Sequence, residues 1–599
     1  MGRPGEGGPD DGPVAAFAAE LRALRVRQGS PSYPEIVARG GGPNVGAVAA
    51  ILDGKRFPTW EETRALLAAC GEDPEPWRER WERANAQQAG AAVPPVVAPE
   101  TNPWWRRYLR TLVAAGAVVV LAAAFLIWSP FGNDDPAAGG CGDSGLSQVA
   151  GECVGVTDGR DNQFDPALTT VMDMIYAENQ RVTAAGDYVS LALLNPMSSS
   201  TTATPGLMTT DQVRHALEGA YTGQWRANHT QDYFGDPTPR IKLLLANEGS
   251  HEEHWQRVTE QIVGLTTGPD HLVGVVGLGF SVENTRRGAK YLSSHGIAMV
   301  SALTSADELN NKDIPGFIRI SPSNTDYVTA LSRYLTKHRD LKKALIVSDN
   351  NDDRGDLYAR SLAADFKTLE GLLEFSDPQP FRGVSIPGNE RKELFSTVTS
   401  NVCGFGVDVV LYAGREIDLH AFLESLSGRT CKQKKLVVMT GVSNLGAVEK
   451  QDGPKLGAGN INIVYATATD PHGWPVEVTG TPPGYGEFSA QFVDLGFDKA
   501  DLLTAEAPMT HDAVVTAVRA ARLDTPTDSA ELPSFSDVRD RLFNLNGPAA
   551  AVRGATGTLT FSLSDSQPGR PRGKPVPVLV LPVGAAQDTG TPYLTGEIG

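Results

Sequence analysis

The sequence predicts a multidomain protein: an all-α N-terminal domain, one transmembrane helix, and a C-terminal α/β part large enough for two lobes. Three observations carry this. An uncharged apolar run from Thr111 to Asn133 divides the chain. Before it, short segments with apolar residues at helical spacing end in Gly or Pro. After it, fully apolar runs of strand length alternate with amphipathic helices, the pattern of parallel sheets covered on both faces.

At 599 residues the chain is too long for one hydrophobic core. With 41% hydrophobic and 21% charged residues it is globular in composition rather than disordered. The net charge of -18 argues against a protein that coats nucleic acid along its length.

Residues 1–13 are rich in Gly, Pro and acid and read as disordered. Residues 14–85 read as a helical domain. "VAAFAAELRALRVRQG" puts Phe17, Leu21 and Leu24 on one face. "SYPEIVARGGG" is a short helix running into a Gly turn, and "PNVGAVAAILDGKRFP" a third helix stopped by Gly54. "TWEETRALLAACG" and "DPEPWRERWERANAQ" follow, with Thr or Asp caps and acids in the first turn. Residues 86–103 are a Pro/Ala linker.

Residues 104–130 read as the membrane span, long enough to cross a bilayer core as a helix. Arg106, Arg107 and Arg110 precede the uncharged run; Asp134 and Asp135 follow it. The basic flank places the N-terminus in the cytoplasm and the C-terminus outside the cell membrane. Trp104, Trp105, Tyr108 and Trp128 suit the two interfaces. Small residues (Ala114, Ala115, Gly116, Ala122) permit close helix packing, so a homodimer is an expected partner state.

Five cysteines are present, of which Cys70 lies on the cytoplasmic side of this span. The other four, Cys141, Cys153, Cys403 and Cys431, lie on the oxidising side, where an even number suits disulfides. Three pairings are open; Cys141–Cys153 and Cys403–Cys431 each close a local loop and are the expected ones. No CxxC or nearby His points to a metal, and no cofactor is expected. Residues 131–187 read as a disulfide-closed knob and a lead-in helix, and 188–599 as the ligand domain.

The strands of that domain are "YVSLALLNPM", "IKLLLANEG", "LVGVVGLG", "IAMVSAL", "KKALIVSDN", "VDVVLYAG", "KLVVMTG" and "NINIVYATA", with helical patterns between them. No catalytic constellation emerges, so an enzyme is not expected. "HEEH" at His251–His254 lacks HExxH spacing and reads as a solvated first helical turn. "GVVGLGF" has the wrong Gly spacing for a dinucleotide fingerprint.

Two resemblances add to this reading. "FxxxLRxLR…GSPSYPEIVARGG…VAAILDGKRFPTWEETRALLAACGEDPEPWRERW" resembles the XRE, lambda-repressor-like helix-turn-helix domains. That family implies DNA contact through the third helix. Asn44 is the polar reader available there, with Lys55, Arg56 and Arg39 as a local basic patch. The third helix otherwise offers Gly and Ala, and residues 17–83 hold ten basic and ten acidic side chains. A cytoplasmic protein partner is therefore the other reading.

From about Tyr188 to Leu581 the chain resembles the type 1 periplasmic binding proteins, in their branched-chain amino-acid branch. The phrases are "GVVGLGFSVENTRRGAKYLSSHGIAMVSALTSADEL", "GFIRISPSNTDYVTALSRYL", "KKALIVSDNNDDRGDLYARSL", "GYGEFSAQFVDLGF" and "GATGTLTFSLSD". The resemblance implies two lobes hinged around a cleft that takes a small amino-acid-like ligand. It implies ligand contacts from Ser281, Thr304 and Ser305 at helix N-termini, which suit a carboxylate. In the second lobe it implies Asp353 and Arg354, the latter standing where the family has a Tyr. "YAGRE" adds Tyr412, Arg415 and Glu416, and Tyr485 and His511 are weaker candidates. A receptor that senses a solute is the expected function; a tethered component feeding an ABC permease is the alternative.

Overall fold

The computed structural model describes parts of residues 17–84 and most of residues 141–596. Within the latter, 143–144, 161–163, 200–204, 231–237, 351–354, 384–394, 443–444, 524–531, 562–567 and 583–589 are not described. The chain divides into two compact units, Met1–Asp135 and Pro136–Gly599. The expected membrane span (104–130), the linker, Arg39, Asn44, Cys70, Asp353 and Arg354 lie outside the described residues. Among the described residues no helix is long and apolar enough to cross a membrane.

In the first unit, Phe17, Leu21 and Leu24 are buried together with Val48, Ile51 and Trp77. The helix α1 (Trp60–Ala69) starts at Thr59. The Thr59 hydroxyl accepts from the Glu62 N–H at 3.2 Å, and the Glu62 carboxylate accepts from the Thr59 N–H at 2.9 Å. This reciprocal cap is what "TWEE" encodes. Arg56, a DNA-contact candidate, gives both its terminal nitrogens to Glu62, at 3.0 and 2.7 Å. Lys55 is exposed.

The second unit is built from two α/β lobes. Lobe 1 contains β1 (Leu146–Val149), β2 (Glu152–Thr157), β3 (Tyr188–Asn195), β4 (Arg240–Asn247), β5 (Leu272–Gly277), β6 (Ala298–Ser301) and β7 (Phe317–Arg319). Its helices are α2 (Thr169–Ala185), α3 (Thr210–His229), α4 (Trp255–Gly264) and α5 (Glu283–Ser294). The chain then crosses to lobe 2. There it forms α6 (Asn324–Lys337), β8 (Lys343–Asp349), α7 (Leu357–Phe366), β9 (Glu374–Phe375), β10 (Gln379–Phe381), α8 (Ser396–Phe405) and β11 (Val409–Ala413). It continues with α9 (Glu416–Ser427), β12 (Leu436–Gly441), α10 (Gly446–Gly459) and β13 (Ile461–Ala466). It returns to lobe 1 through α11 (Tyr485–Asp494), α12 (Glu506–Arg522), α13 (Phe535–Leu542), β14 (Val552–Arg553), β15 (Thr558–Phe561) and β16 (Pro571–Arg572). It ends in lobe 2 with β17 (Pro575–Val576), β18 (Val578–Leu581) and β19 (Tyr593–Leu594).

The sheets run β1-β2-β4-β3-β5-β6-β7 and β10-β8-β11-β12-β13-β18. Lobe 1 contains five parallel strands in the spatial order second, first, third, fourth, fifth, and the lobe 2 sheet path repeats that order, with the two-residue β9 also pairing parallel to β8 beside β10. Each is extended by antiparallel strands at one edge. The segment expected to form a separate knob instead continues the sheet. β2 pairs antiparallel with β4, and the Cys141–Cys153 bond closes the hairpin. β2 is buried along its whole length, since pairing with β4 gives it the core that an isolated two-stranded ribbon lacks. The Cys403–Cys431 bond ties the end of α8 to the segment after α9.

Candidate functional site

In an open doubly wound sheet, strand order reverses between the first and third parallel strands, leaving a crevice at their carboxyl ends. In lobe 1 these are β3 and β5; in lobe 2, β8 and β11. Ser281 follows β5, and Arg415 follows β11. The two crevices meet. Residues 281–283 form an antiparallel bridge with residues 355–357 across the lobes, centred on Val282 and Asp356. The Glu283 N–H donates to Gly355 O at 2.8 Å, and the Leu357 N–H to Ser281 O at 3.1 Å. Gly355 has φ +84°, and a Cβ there would sit 2.4 Å from the Glu283 Cβ. Only glycine allows this approach.

Arg415 spans the seam. Its Nε donates to Asp356 Oδ2 at 2.7 Å, while Nη2 donates to Asp356 Oδ1 at 3.1 Å and to Ser281 O at 3.2 Å. Its guanidinium lies 5.7 Å from the ring centres of both Phe280 and Tyr358, at cation–π range. Burial opposes its charge, but Asp356 and Glu252 more than compensate and raise its pKa. Asp356 also caps α7 by accepting from the Ala359 N–H at 3.1 Å. Removing one partner of a bidentate, desolvated pair of this kind leaves the other charge buried and uncompensated.

The other expected residues are placed as follows. The Ser281 hydroxyl accepts from the Ser305 and Ala306 N–H groups at 3.0 and 3.1 Å. Thr304 is fully buried, its hydroxyl 2.6 Å from that of Ser301. Tyr412 is buried in the lobe 2 core, and its hydroxyl donates to Arg415 O at 3.0 Å. Glu416 begins α9, with its Oε1 buried and unpartnered. Desolvation, with Glu506 and Asp452 nearby, pushes its carboxyl up to about 7. Tyr485 packs edge-on against Trp474 at 5.4 Å, and His511 is buried beside Asp512. The structure thus brings Ser281, Ser305 and Arg415 together, and puts Tyr412 directly behind Arg415. Tyr485 and His511 stand apart from them on the return segment.

Sequence reasoning missed Asp356, Tyr358 and Glu252. Asp356 was visible as a capping acid before "LYARSL". The Tyr358 hydroxyl donates to Gly441 O at 2.7 Å, joining the seam to the end of β12.

The reading of His251–His254 as a solvated turn is corrected. Glu252 has no exposed surface. Its Oε1 accepts from the Phe280 N–H at 3.0 Å, and its Oε2 from the Thr285 hydroxyl. Burial pushes its carboxyl up to about 7 against those bonds and against Arg415. The cause of the misreading is long-range: the turn before α5 supplies the N–H, and nothing local to "HEEH" reveals it. Among the described residues no group of His, Cys, Asp and Glu is placed to hold a metal.

No family model matches the chain. No curated protein matches it either. Solved structures do. One is an ABC transporter substrate-binding protein from Desulfitobacterium hafniense in complex with Leu, at 14% identity and a TM-score of 0.48, covering 68% of this chain and 99% of that one. A leucine-binding protein from Thermotoga maritima is similar at 13% identity and 0.45, covering 67% and 96%. A branched-chain amino-acid transporter substrate-binding protein from Streptococcus pneumoniae, in complex with isoleucine, is similar at 13% identity and 0.47, covering 68% and 98%.

Proposed function

We propose that the chain is a single-pass membrane receptor whose outer unit binds a small polar, amino-acid-like solute between its lobes. The bound state is relayed to the cytoplasmic helix-turn-helix-like domain, which acts on DNA or on a protein partner. The observation that supports a solute site is the meeting of two strand-end crevices at Ser281, Arg415 and Asp356. An incoming carboxylate competes with Asp356 for Arg415, and an incoming ammonium competes with Arg415 for Asp356. A zwitterion therefore replaces both halves of the pair at once, and lobe closure becomes an equilibrium that ligand biases.

The second reading is a tethered substrate-binding component of an ABC importer. The same outer unit serves either. Titration of the full chain with the proteinogenic amino acids tests the solute site; binding lost in Arg415→Ala and Thr304→Ala supports it. Deleting residues 1–100 then separates the readings. Retained uptake with lost regulation supports the receptor; lost uptake with unchanged regulation contradicts it.

A further inference from the structure

A cavity of about 1040 Å³ opens on the edge of lobe 2 and shares no residue with the seam. Its size is at the upper end of small-molecule sites. One wall is β18 with the residues leading into it. A second is the segment after β13 that carries Trp474, Val476 and Val478, and a third is the outer face of α6. Tyr593 closes one side.

The chemistry of the walls differs. Trp474, Val578 and Leu579 make an aromatic and aliphatic lining. Val476 is 72% and Val478 41% exposed, although both belong to this lining. Apolar residues gathered at the mouth of a cavity mark a surface that gains from being covered. Across from them α6 presents Arg333 and Lys337, one helical turn apart. The Arg333 guanidinium already stacks over the Tyr593 ring at 4.8 Å. Two acids, Asp470 and Glu477, also line the space. Asp470 is committed to its own turn, with Oδ1 accepting from the Gly473 and His472 N–H groups at 2.7 and 3.3 Å. His472 pairs with Glu449 at 3.0 Å.

We propose that this cavity is a second binding site, for an amphipathic carboxylate. The chain of the ligand lies along Trp474, Val476 and β18, and its acid faces the Arg333 and Lys337 wall. The site is independent of the seam and goes beyond the solute reading above.

The test is equilibrium dialysis of decanoate against the full chain in lipid nanodiscs, with empty nanodiscs subtracted. 1-Decanol and decylamine serve as the neutral and cationic counterparts. A decanoate carrying a terminal diazirine maps the place of binding by mass spectrometry. Saturable decanoate binding is expected, with both counterparts at least tenfold weaker. Val476→Glu and Lys337→Glu each weaken it tenfold or more, and Val476→Leu retains it. The label is expected on 474–480 and 576–581. Equal binding of 1-decanol, a label on 277–283 or 412–416, or no binding above empty nanodiscs overturns the proposal.

Discussion

The two lobes share one sheet plan and differ in how the chain builds it. Both have a path of five parallel strands in the same spatial order, to which lobe 2 adds the short β9, and each has one disulfide and an antiparallel edge. Lobe 2 takes nearly all its sheet from one continuous run, β8 to β13, and adds only β18 from afar. Lobe 1 is closed by the return of α12 against α3, two helices almost three hundred residues apart. Arg226 on α3 reaches His511 on α12 at 3.0 Å, and Arg522 donates to Ala227 O and Pro239 O, each at 2.9 Å. Both lobes therefore depend on long-range closure: lobe 1 through a helix pair, and lobe 2 through β18, whose Val578 pairs with Ala466 of β13, and through Tyr593, whose hydroxyl donates to Asp326 at 2.9 Å. The lobes also differ at the seam. Lobe 1 brings a buried carboxylic acid, Glu252; lobe 2 brings the ion pair Arg415–Asp356.

Removing the ion pair should have the largest effect. Arg415→Ala strands Asp356, whose side chain is only 1% exposed. A loss of about 3–5 kcal/mol is expected in denaturant unfolding. An unchanged midpoint would mean that the ion pair contributes nothing to cohesion.

Lobe 1 closure comes next. A Cβ on Gly219 would lie 2.0 Å from Ala507 O, so α3 and α12 must separate to admit it. Gly219→Val is expected to cost about 3 kcal/mol, with protease cutting appearing in lobe 1 before lobe 2.

The Glu252 carboxyl sharpens the seam comparison through pH. Its folded pKa is raised to about 7, above its unfolded value. The unfolded chain then holds fewer protons between the ordinary carboxylate range and pH 7, so stability falls as pH rises through that window and levels off above it. Glu252→Gln should flatten this decline by on the order of 2 kcal/mol in melts from pH 4.5 to 8. A slope equal to the native one would place the titration elsewhere. The smallest effect is a gain. A Cβ added to Gly457 in α10 would meet nothing within 4 Å. Gly457→Ala should add about 0.5–1 kcal/mol to lobe 2 and leave lobe 1 unchanged.

Much of lobe architecture was legible because each strand is a short apolar run between amphipathic helices. "YVSLALLN" and "KALIVSD" are strands over those residues. Both disulfides followed from loop closure between nearest cysteines. What stayed hidden depends on residues distant in sequence. Arg415 was visible as a candidate, but its partner Asp356 is 59 positions away. Glu252 looks like a solvated acid until Phe280, 28 positions on, is folded over it. The hairpin of β1 and β2 looked like a knob because its partner β4 comes some ninety positions later. The edge cavity was not legible at all, since its walls come from α6, from the segment after β13 and from β18.

The central claim is that Arg415 reinforces the seam, directly through Ser281 O and indirectly by fixing Asp356 in its bridge to Val282. The most direct test is the distance between the lobes. Spin labels on Lys290→Cys and Ser400→Cys, in a Cys70→Ser background, sit on exposed positions of α5 and α8. Pulsed electron spin resonance should give one narrow, short distance for the native chain. Arg415→Ala should give a longer, broader one. The same narrow distribution in both chains would contradict the account.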